Sequence, residues 1–236
     1  MNKSAWGIWS LALLSVFICS ATPALSQALR PARSVYDLKL NQDRDTGGIE
    51  AASGRLVVEL VEDCSGYILN QGFITHITSS EAQEMFGNMQ ASVWESRDGR
   101  SMRFTVVNTI NGATAEREQG RGNLHQGGAG NGSGLGVWKL PVPRKLALPK
   151  GTLFPISYNR AVLRAVLAGR RSFETTLFDG TNAAGFYHAS AFIGDKWSQE
   201  RGKRGKLLAR DLPSWPVRLA YYHQGSQIST PQFEVG

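Results

Sequence analysis

The sequence predicts a mainly β fold, built from antiparallel strands with one main helix. Short apolar and β-branched runs alternate with turn signals such as Asp98-Gly99 and Asn111-Gly112, with no helical periodicity between them. Parallel neighbours need a crossover of a dozen or more residues, so closely spaced runs favour antiparallel pairing. Helical spacing of apolar residues stands out once, over residues 155–168.

The first half of the chain contains six predicted strands. The run from Arg55 to Val61 is rich in β-branched residues and has the length of a strand. The segment from Trp94 to Phe104 has strand-like ends around a central Asp-Gly, which predicts a hairpin. The six predicted strands are residues 34–40, 54–61, 66–70, 72–78, 91–95 and 102–108.

A glycine-rich stretch at residues 127–136 invites comparison with a nucleotide-binding loop. Its spacing does not fit, because Gly128 and Gly130 would need a glycine at the position of Ser133, and no Gly-Lys-Ser/Thr follows. We therefore predict a flexible loop. Three prolines between positions 141 and 149 then favour extended, non-helical backbone.

The predicted helix begins at Pro155, a residue suited to a first helical turn, and ends at residue 168 before Gly169, which fits a left-handed C-cap. Its apolar residues follow i, i+3, i+4 and i+7 spacing, while Arg160 and Arg164 lie on the opposite side. We expect the apolar face to pack on a sheet. The remaining predicted strands are residues 173–178, 186–193, 217–223 and 232–235.

Composition and the N-terminus indicate an exported globular protein. The 236 residues are 42% hydrophobic and 19% charged, which excludes a disordered or collagen-like chain. Lys3, an apolar stretch up to Cys19 and small residues before Ala28 are typical of a cleaved Sec-type signal peptide over residues 1–28. Residues 29–236 are predicted to form a single domain outside the cytosol. The net charge of +7 favours anionic partners without selecting one.

Few residues carry a signal for catalysis or metal binding. The four histidines, His76, His125, His188 and His223, are far apart in sequence, and no pair has the spacing of metal ligands. A Gly-x-Ser-x-Gly motif is also missing. The sequence therefore predicts no catalytic residue, no metal site and no cofactor.

A basic segment at residues 201–210 is a candidate contact for an anionic partner. It contains no acidic residue and could dock on phosphates or acidic sugars, although a solvated loop is the simpler interpretation. Nucleic acid is not an expected partner, because the signal peptide exports the chain and no RNA-binding motif is present. The candidate cations are Arg201, Lys203, Arg204, Lys206 and Arg210.

Cys64 is the most informative single residue, because cleavage of the signal peptide would remove Cys19 and leave one cysteine. An unpaired cysteine in an exported protein is a buried thiol, a reactive thiol, half of an intermolecular disulfide, or a residue whose partner is missing from the chain. A thiol enzyme would need a nearby cation or histidine to favour the thiolate. The neighbouring carboxylates of Glu62 and Asp63 would instead disfavour the thiolate, because they carry the same negative charge.

A series of ordered motifs runs from Ser34 to the end of the chain. They are residues 34–40 (SVYDLKL), 48–59 (GIEAASGRLVVE), 63–67 (DCSGY), 92–95 (SVWE), 98–99 (DG), 148–155 (LPKGTLFP), 177–180 (LFDG) and 214–217 (SWPV). Together they closely resemble the cell-envelope integrity EipB family of alphaproteobacteria. The resemblance implies a periplasmic protein whose antiparallel strands curl into a β-spiral, an open barrel-like sheet with a helix-bearing connection.

The resemblance also implies a disulfide, a partner and a role. In the family, a second cysteine near a longer C-terminus is bonded to the cysteine that Cys64 matches, whereas this sequence stops at Gly236. The bridge is therefore not expected within this chain, which is either cut short or a short variant. The implied role is support of the envelope under stress, with a periplasmic tetratricopeptide-repeat partner and no established enzymatic activity.

We therefore expect a noncatalytic periplasmic protein that binds a partner protein or an envelope component such as lipid or polysaccharide. Two alternatives stay open. One is a lipid or lipoprotein carrier that uses the cavity of a curled sheet. The other is a thiol-dependent enzyme that uses Cys64.

Overall fold

The computed structural model describes residues 29–41, 43, 47–125, 133–181, 185–197, 213–223 and 230–236. Within these ranges the chain forms twelve β-strands and one α-helix, arranged as two open sheets. Every pair of neighbouring strands in the two sheets is antiparallel, so the predicted fold class is confirmed. No helix among the described residues is long and apolar enough to cross a membrane.

The larger sheet is a meander of eight strands in chain order. Each strand pairs with the next one along the chain, so tight hairpin turns make most of its connections. The turns at Asn111-Gly112 and Asp98-Gly99 fall where the sequence predicts them, and both glycines have positive φ angles. The strands are β1 Ala32–Lys39, β2 Ile49–Glu62, β3 Gly66–Ser79, β4 Glu84–Ser96, β5 Ser101–Ile110, β6 Ala113–Leu124, β7 Gly134–Leu140 and β8 Arg144–Leu148.

The helix connects the two sheets and lies where the sequence predicts it. It spans Pro155–Leu167 and is labelled α1, and Gly169 after its end has a φ of +70°, as a left-handed C-cap requires. The smaller sheet has four strands in the spatial order β12, β11, β10, β9. Its strands are β9 Ser172–Leu177, β10 Tyr187–Ile193, β11 Val217–His223 and β12 Phe233–Val235.

Three details of the predicted strands are wrong. The two strands predicted at 66–70 and 72–78 are one continuous strand, β3, because Gly72 keeps its place in the ladder between Val57 and Gln90. The predicted glycine-rich loop ends early, since β7 already begins at Gly134 and residues 126–132 lie outside the described ranges. Strands β6, β7 and β8 are absent from the predicted strands, although the sequence predicts extended backbone around the prolines that flank β8.

The core has two parts. In the first, the apolar face of α1 packs on β9 and β10, which confirms the predicted packing of the helix on a sheet. In the second, residues of β4 to β8 surround Phe154, Phe178 and Phe186 from the segments that flank α1 and β9. Rings from both sheets therefore meet in one cluster: the centroids of Trp138 and Phe178 are 5.3 Å apart, and those of Phe104 and Phe178 are 5.9 Å apart.

Candidate functional site

Cys64 lies in the turn between β2 and β3, and its side chain is exposed and free in the structure. The turn is closed by Asp63, whose carboxylate accepts hydrogen bonds from the backbone N–H groups of Ser65 (2.7 Å) and Gly66 (2.6 Å) and from the Ser65 hydroxyl (2.9 Å). These donors lower the pKa of Asp63 below its ordinary value. The result is an ordered turn that presents the thiol to the surface.

Arg97 holds this turn from the neighbouring hairpin between β4 and β5. Its guanidinium donates to Glu62 Oε1 (2.7 Å), to the carbonyl of Asp63 (2.7 Å) and to the carbonyl of Cys64 (3.3 Å). A planar guanidinium suits this role because its donors point in fixed directions. The cation near Cys64 therefore binds the backbone of the turn and a carboxylate, which leaves the sulfur outside its hydrogen bonds.

The same hairpin reaches the start of α1 through Glu95. This residue is fully buried on β4, and its carboxylate accepts hydrogen bonds from the backbone N–H groups of Ile156 (2.8 Å) and Ser157 (2.9 Å) and from the Ser157 hydroxyl. Phe154, at the N-cap position, has no side chain that can cap the helix. Glu95 supplies this cap from another strand, and burial raises its pKa to about 7.

Tyr67 and Arg160 connect these two arrangements. The Arg160 guanidinium lies 4.4 Å from the centroid of the buried Tyr67 ring and donates to the carbonyl of Arg97 (3.3 Å). The Tyr67 hydroxyl donates to Glu62 (3.2 Å). The Cys64 turn, the β4–β5 hairpin and the start of α1 thus form one contiguous polar cluster, which ties the larger sheet to the helix.

The described contacts around Cys64 fix the conformation of the turn. The described contacts of the turn engage its carbonyls and carboxylates, and the four histidines lie on β3, at the end of β6, on β10 and on β11. No group of three His, Cys, Asp or Glu side chains in the described part of the chain could hold a metal ion. The exposed thiol can exchange with a disulfide that reaches the surface: its thiolate attacks one sulfur, and the other sulfur leaves as a thiolate.

Comparison with known proteins places the chain in a family. The family model described as EipB-like matches residues 23–236. The chain belongs to the EipB-like family. It is 27% identical to the cell envelope integrity protein EipB of Brucella abortus (strain 2308) over 215 residues, which cover 89% of this chain and 74% of that protein. The resemblance found in the sequence motifs is therefore confirmed.

A solved structure shares the fold of this EipB-like chain. It is the crystal structure of a Brucella abortus protein described as a beta-barrel-like protein of the domain of unknown function DUF1849. The TM-score is 0.73 at 26% sequence identity, and the match covers 86% of this chain and 84% of that one. The description of that structure as barrel-like agrees with the open barrel-like sheet that the family resemblance implies, and the strands of this chain form two open sheets.

The structure leaves most of the other sequence predictions about candidate residues untested. The basic segment with Arg201, Lys203, Arg204, Lys206 and Arg210 lies outside the described residues, so its role as an anionic contact stays a prediction. The predicted signal peptide, residues 1–28, also lies outside them. The disulfide candidate Cys64 is free in the structure.

Sequence reasoning missed a second buried carboxylate, Glu118 on β6. It is 3% exposed and accepts a hydrogen bond from the indole N–H of Trp138 (3.2 Å), while the Arg144 guanidinium lies 3.7 Å from its other oxygen and stacks on the Trp138 ring. Burial raises the pKa of Glu118. The sequence signal for this site is the alternation of buried and exposed residues along β6. Two of the buried positions are glycines, so the strand lacks the alternating apolar side chains that usually reveal such a pattern.

Proposed function

We propose that this chain supports the integrity of the cell envelope as a noncatalytic binding protein of the periplasm. The observation that carries the proposal is the match to the Brucella cell envelope integrity protein along most of both chains. The exported character that the N-terminal residues predict supports the compartment. The buried Glu95 supports the noncatalytic part, because its carboxylate accepts hydrogen bonds from the first turn of α1 and so joins the helix to the larger sheet.

The larger sheet offers a surface on which a partner could bind. One side of the larger sheet faces the core at β4, and the same side of β2 and β3 carries apolar residues that are only half-buried. We call this surface the β2–β4 apolar face. Contiguous exposed apolar surface marks interaction sites in soluble proteins. The residues of the β2–β4 apolar face are Leu56, Val58, Leu60, Leu69, Phe73 and Met89.

We infer that the occupant of the β2–β4 apolar face is a helical repeat protein of the periplasm, as the family resemblance implies. A repeat protein stacks helix pairs into an extended concave surface, which is suited to cover a broad sheet face. A second candidate function, the carriage of an acyl chain, is favoured by the same observation, because an apolar sheet face also covers hydrocarbon.

The test compares two neighbouring residues of β3. Phe73 lies on the β2–β4 apolar face, whereas Ile74, which is 59% exposed, points to the other side of the same strand. We expect that Phe73→Asp does not restore envelope integrity in a deletion strain, measured as survival in detergent. We also expect that this variant no longer captures a tetratricopeptide-repeat protein from periplasm. Ile74→Asp should keep both, with circular dichroism showing that each variant is folded.

Mass spectrometry of the protein extracted from periplasm separates the two candidates. Acyl chains that co-purify with the wild type and are lost in Phe73→Asp would favour the carrier over the repeat protein. If Ile74→Asp and Phe73→Asp rescue the strain equally well, the β2–β4 apolar face is not the binding surface and the proposal fails.

A further inference from the structure

The side of the larger sheet that faces away from the core and from the β2–β4 apolar face contains a small open pocket of about 280 Å³. Its walls come from four successive strands, β4 to β7, and the backbone of Phe104 and Gly120 forms part of its floor. Side chains of alternating residues project from these strands into it, as the pleat of a sheet requires. The side chains that matter are Trp94, Arg103, Thr105, Gln119, Arg121 and Lys139.

The charge of this outer pocket is entirely positive. Arg103, Arg121 and Lys139 line it, and no acidic residue does. Arg103 and Arg121 are directly opposite each other in the pairing of β5 with β6, and like charges in that position destabilise a sheet. Among the described residues no carboxylate forms an ion pair with any of the three cations. An anion in the pocket would relieve this repulsion.

The pocket also orders one of its cations. The Arg103 guanidinium lies 4.4 Å from the centroid of the Trp94 ring on the adjacent strand, and stacking of this kind fixes the plane of the guanidinium. A fixed guanidinium can offer two parallel N–H groups to a phosphate or a carboxylate. Thr105 and Gln119 add a hydroxyl and an amide, which are neutral partners for hydroxyl groups.

We propose that the outer pocket binds a phosphorylated saccharide. Three cations match the double charge of a phosphate monoester better than the single charge of a carboxylate. A volume of 280 Å³ holds about nine waters, which leaves room beside a phosphate group for a sugar ring. The hydroxyl and the amide of the wall are then the partners of the sugar hydroxyls. This inference is independent of the proposed envelope function, because it rests on a different face of the sheet.

Isothermal titration calorimetry on the purified chain tests the ligand chemistry with three probes: glucose 1-phosphate, inorganic phosphate and glucose. We expect glucose 1-phosphate to bind more tightly than either of the other two, and its affinity to fall as salt is raised, because exposed charges are screened. Equal binding of inorganic phosphate and glucose 1-phosphate overturns the assignment of a saccharide. Absence of binding by both phosphates overturns the pocket as an anion site.

Single substitutions of arginine by glutamine test whether glucose 1-phosphate binds in the outer pocket. Arg121→Gln and Arg103→Gln should each weaken the binding of glucose 1-phosphate about tenfold or more, since charged hydrogen bonds are the strong ones. The matched control is Arg117→Gln, which removes the same charge from the same side of β6, four residues from Arg121 and outside the pocket wall. The control should bind as the wild type does, and an equal loss in all three variants overturns the proposal.

A competition experiment identifies the source of the phosphorylated sugar. Vesicles that contain lipid A carry a phosphorylated saccharide on acyl chains, whereas glucose 1-phosphate is soluble. If the chain floats with these vesicles and glucose 1-phosphate releases it, the pocket takes the head group of a glycolipid. If it binds glucose 1-phosphate and ignores the vesicles, the ligand is a soluble sugar phosphate. Binding to the vesicles that glucose 1-phosphate and Arg121→Gln leave unchanged contradicts the pocket as the site.

Discussion

At the scale of single residues, Glu95 joins a strand of the larger sheet to the first turn of α1. The helix begins without a capping side chain of its own, so its free N–H groups need an acceptor from elsewhere. The carboxylate also lies at the positive end of the helix dipole. Burial opposes ionisation more strongly than these contacts favour it, which is why the pKa of Glu95 is raised to about 7.

The raised pKa predicts a pH dependence of stability. Between about pH 4.5 and pH 7 the folded chain keeps a proton on Glu95 that the unfolded chain has lost, so the free energy of unfolding falls as the pH rises through this range. The difference between 4.5 and about 7 corresponds to about 3 kcal/mol. Glu95→Gln, which cannot ionise, should flatten this part of the profile in urea titrations at a series of pH values.

Two further carboxylates, Glu118 and Asp179, limit the size of the effect. Burial also raises the pKa values of Glu118 and Asp179, so some slope of the same sign should remain in Glu95→Gln. The control is Glu50→Gln, at an exposed position of β2, which should keep the wild-type profile. A Glu95→Gln profile that parallels the wild type would show that Glu95 does not titrate in this range.

At the scale of elements, β6 shows why sequence patterns located some strands and not others. Strands β2 and β11 were predicted because β-branched and aromatic residues mark them, and α1 because its apolar face has helical period. On β6 the buried positions are Glu118, Gly120, Gly122 and Leu124, so the inward side of the strand carries almost no apolar signal. Rings from distant segments supply the missing apolar surface.

The candidate sites could likewise be predicted only where neighbouring residues in the sequence form them. The turn at Cys64 could be placed because local residues form it, but its link to Arg97 depends on the pairing of three strands. Glu95 and Ile156 are 61 residues apart, and no local pattern announces their hydrogen bond. The outer pocket likewise needs the register of four strands before its cations converge.

The close approach of rings to β6 predicts a specific sensitivity at Gly122. A Cβ atom there would lie 2.7 Å from Phe154 Cε1 and 3.1 Å from Phe178 Cε1, and both rings are fully buried. Gly122→Ala should therefore lower the free energy of unfolding by about 1 to 3 kcal/mol through overpacking. In Gly72→Ala on β3, the new Cβ meets nothing within 4 Å, and the change should stay within about 0.5 kcal/mol. Equal urea midpoints for the two variants would contradict this packing.

At the scale of the whole molecule, the two sheets are held together by a shared aromatic cluster. Phe178 follows β9 of the smaller sheet, yet its ring packs edge-on against Phe104 and Trp138 of the larger sheet and is fully buried. Such T-shaped pairs are favourable beyond their buried area. Since neither sheet can bury these rings alone, the sheets should unfold together, as the predicted single domain requires.

Phe178→Ala tests this cooperation. Removal of a fully buried ring leaves a cavity and should lower the free energy of unfolding by about 3 to 5 kcal/mol. Phe192→Ala, on β10 at a position that is 47% exposed, removes the same ring from the surface and should change it by about 0.5 kcal/mol or less. For wild type and both variants, urea transitions followed by tryptophan fluorescence and by far-ultraviolet circular dichroism should coincide, because both sheets lose the shared cluster in one step. Two separate transitions, with Phe178→Ala shifting only one of them, would mean that the sheets are independent units and that the cluster is a contact between them.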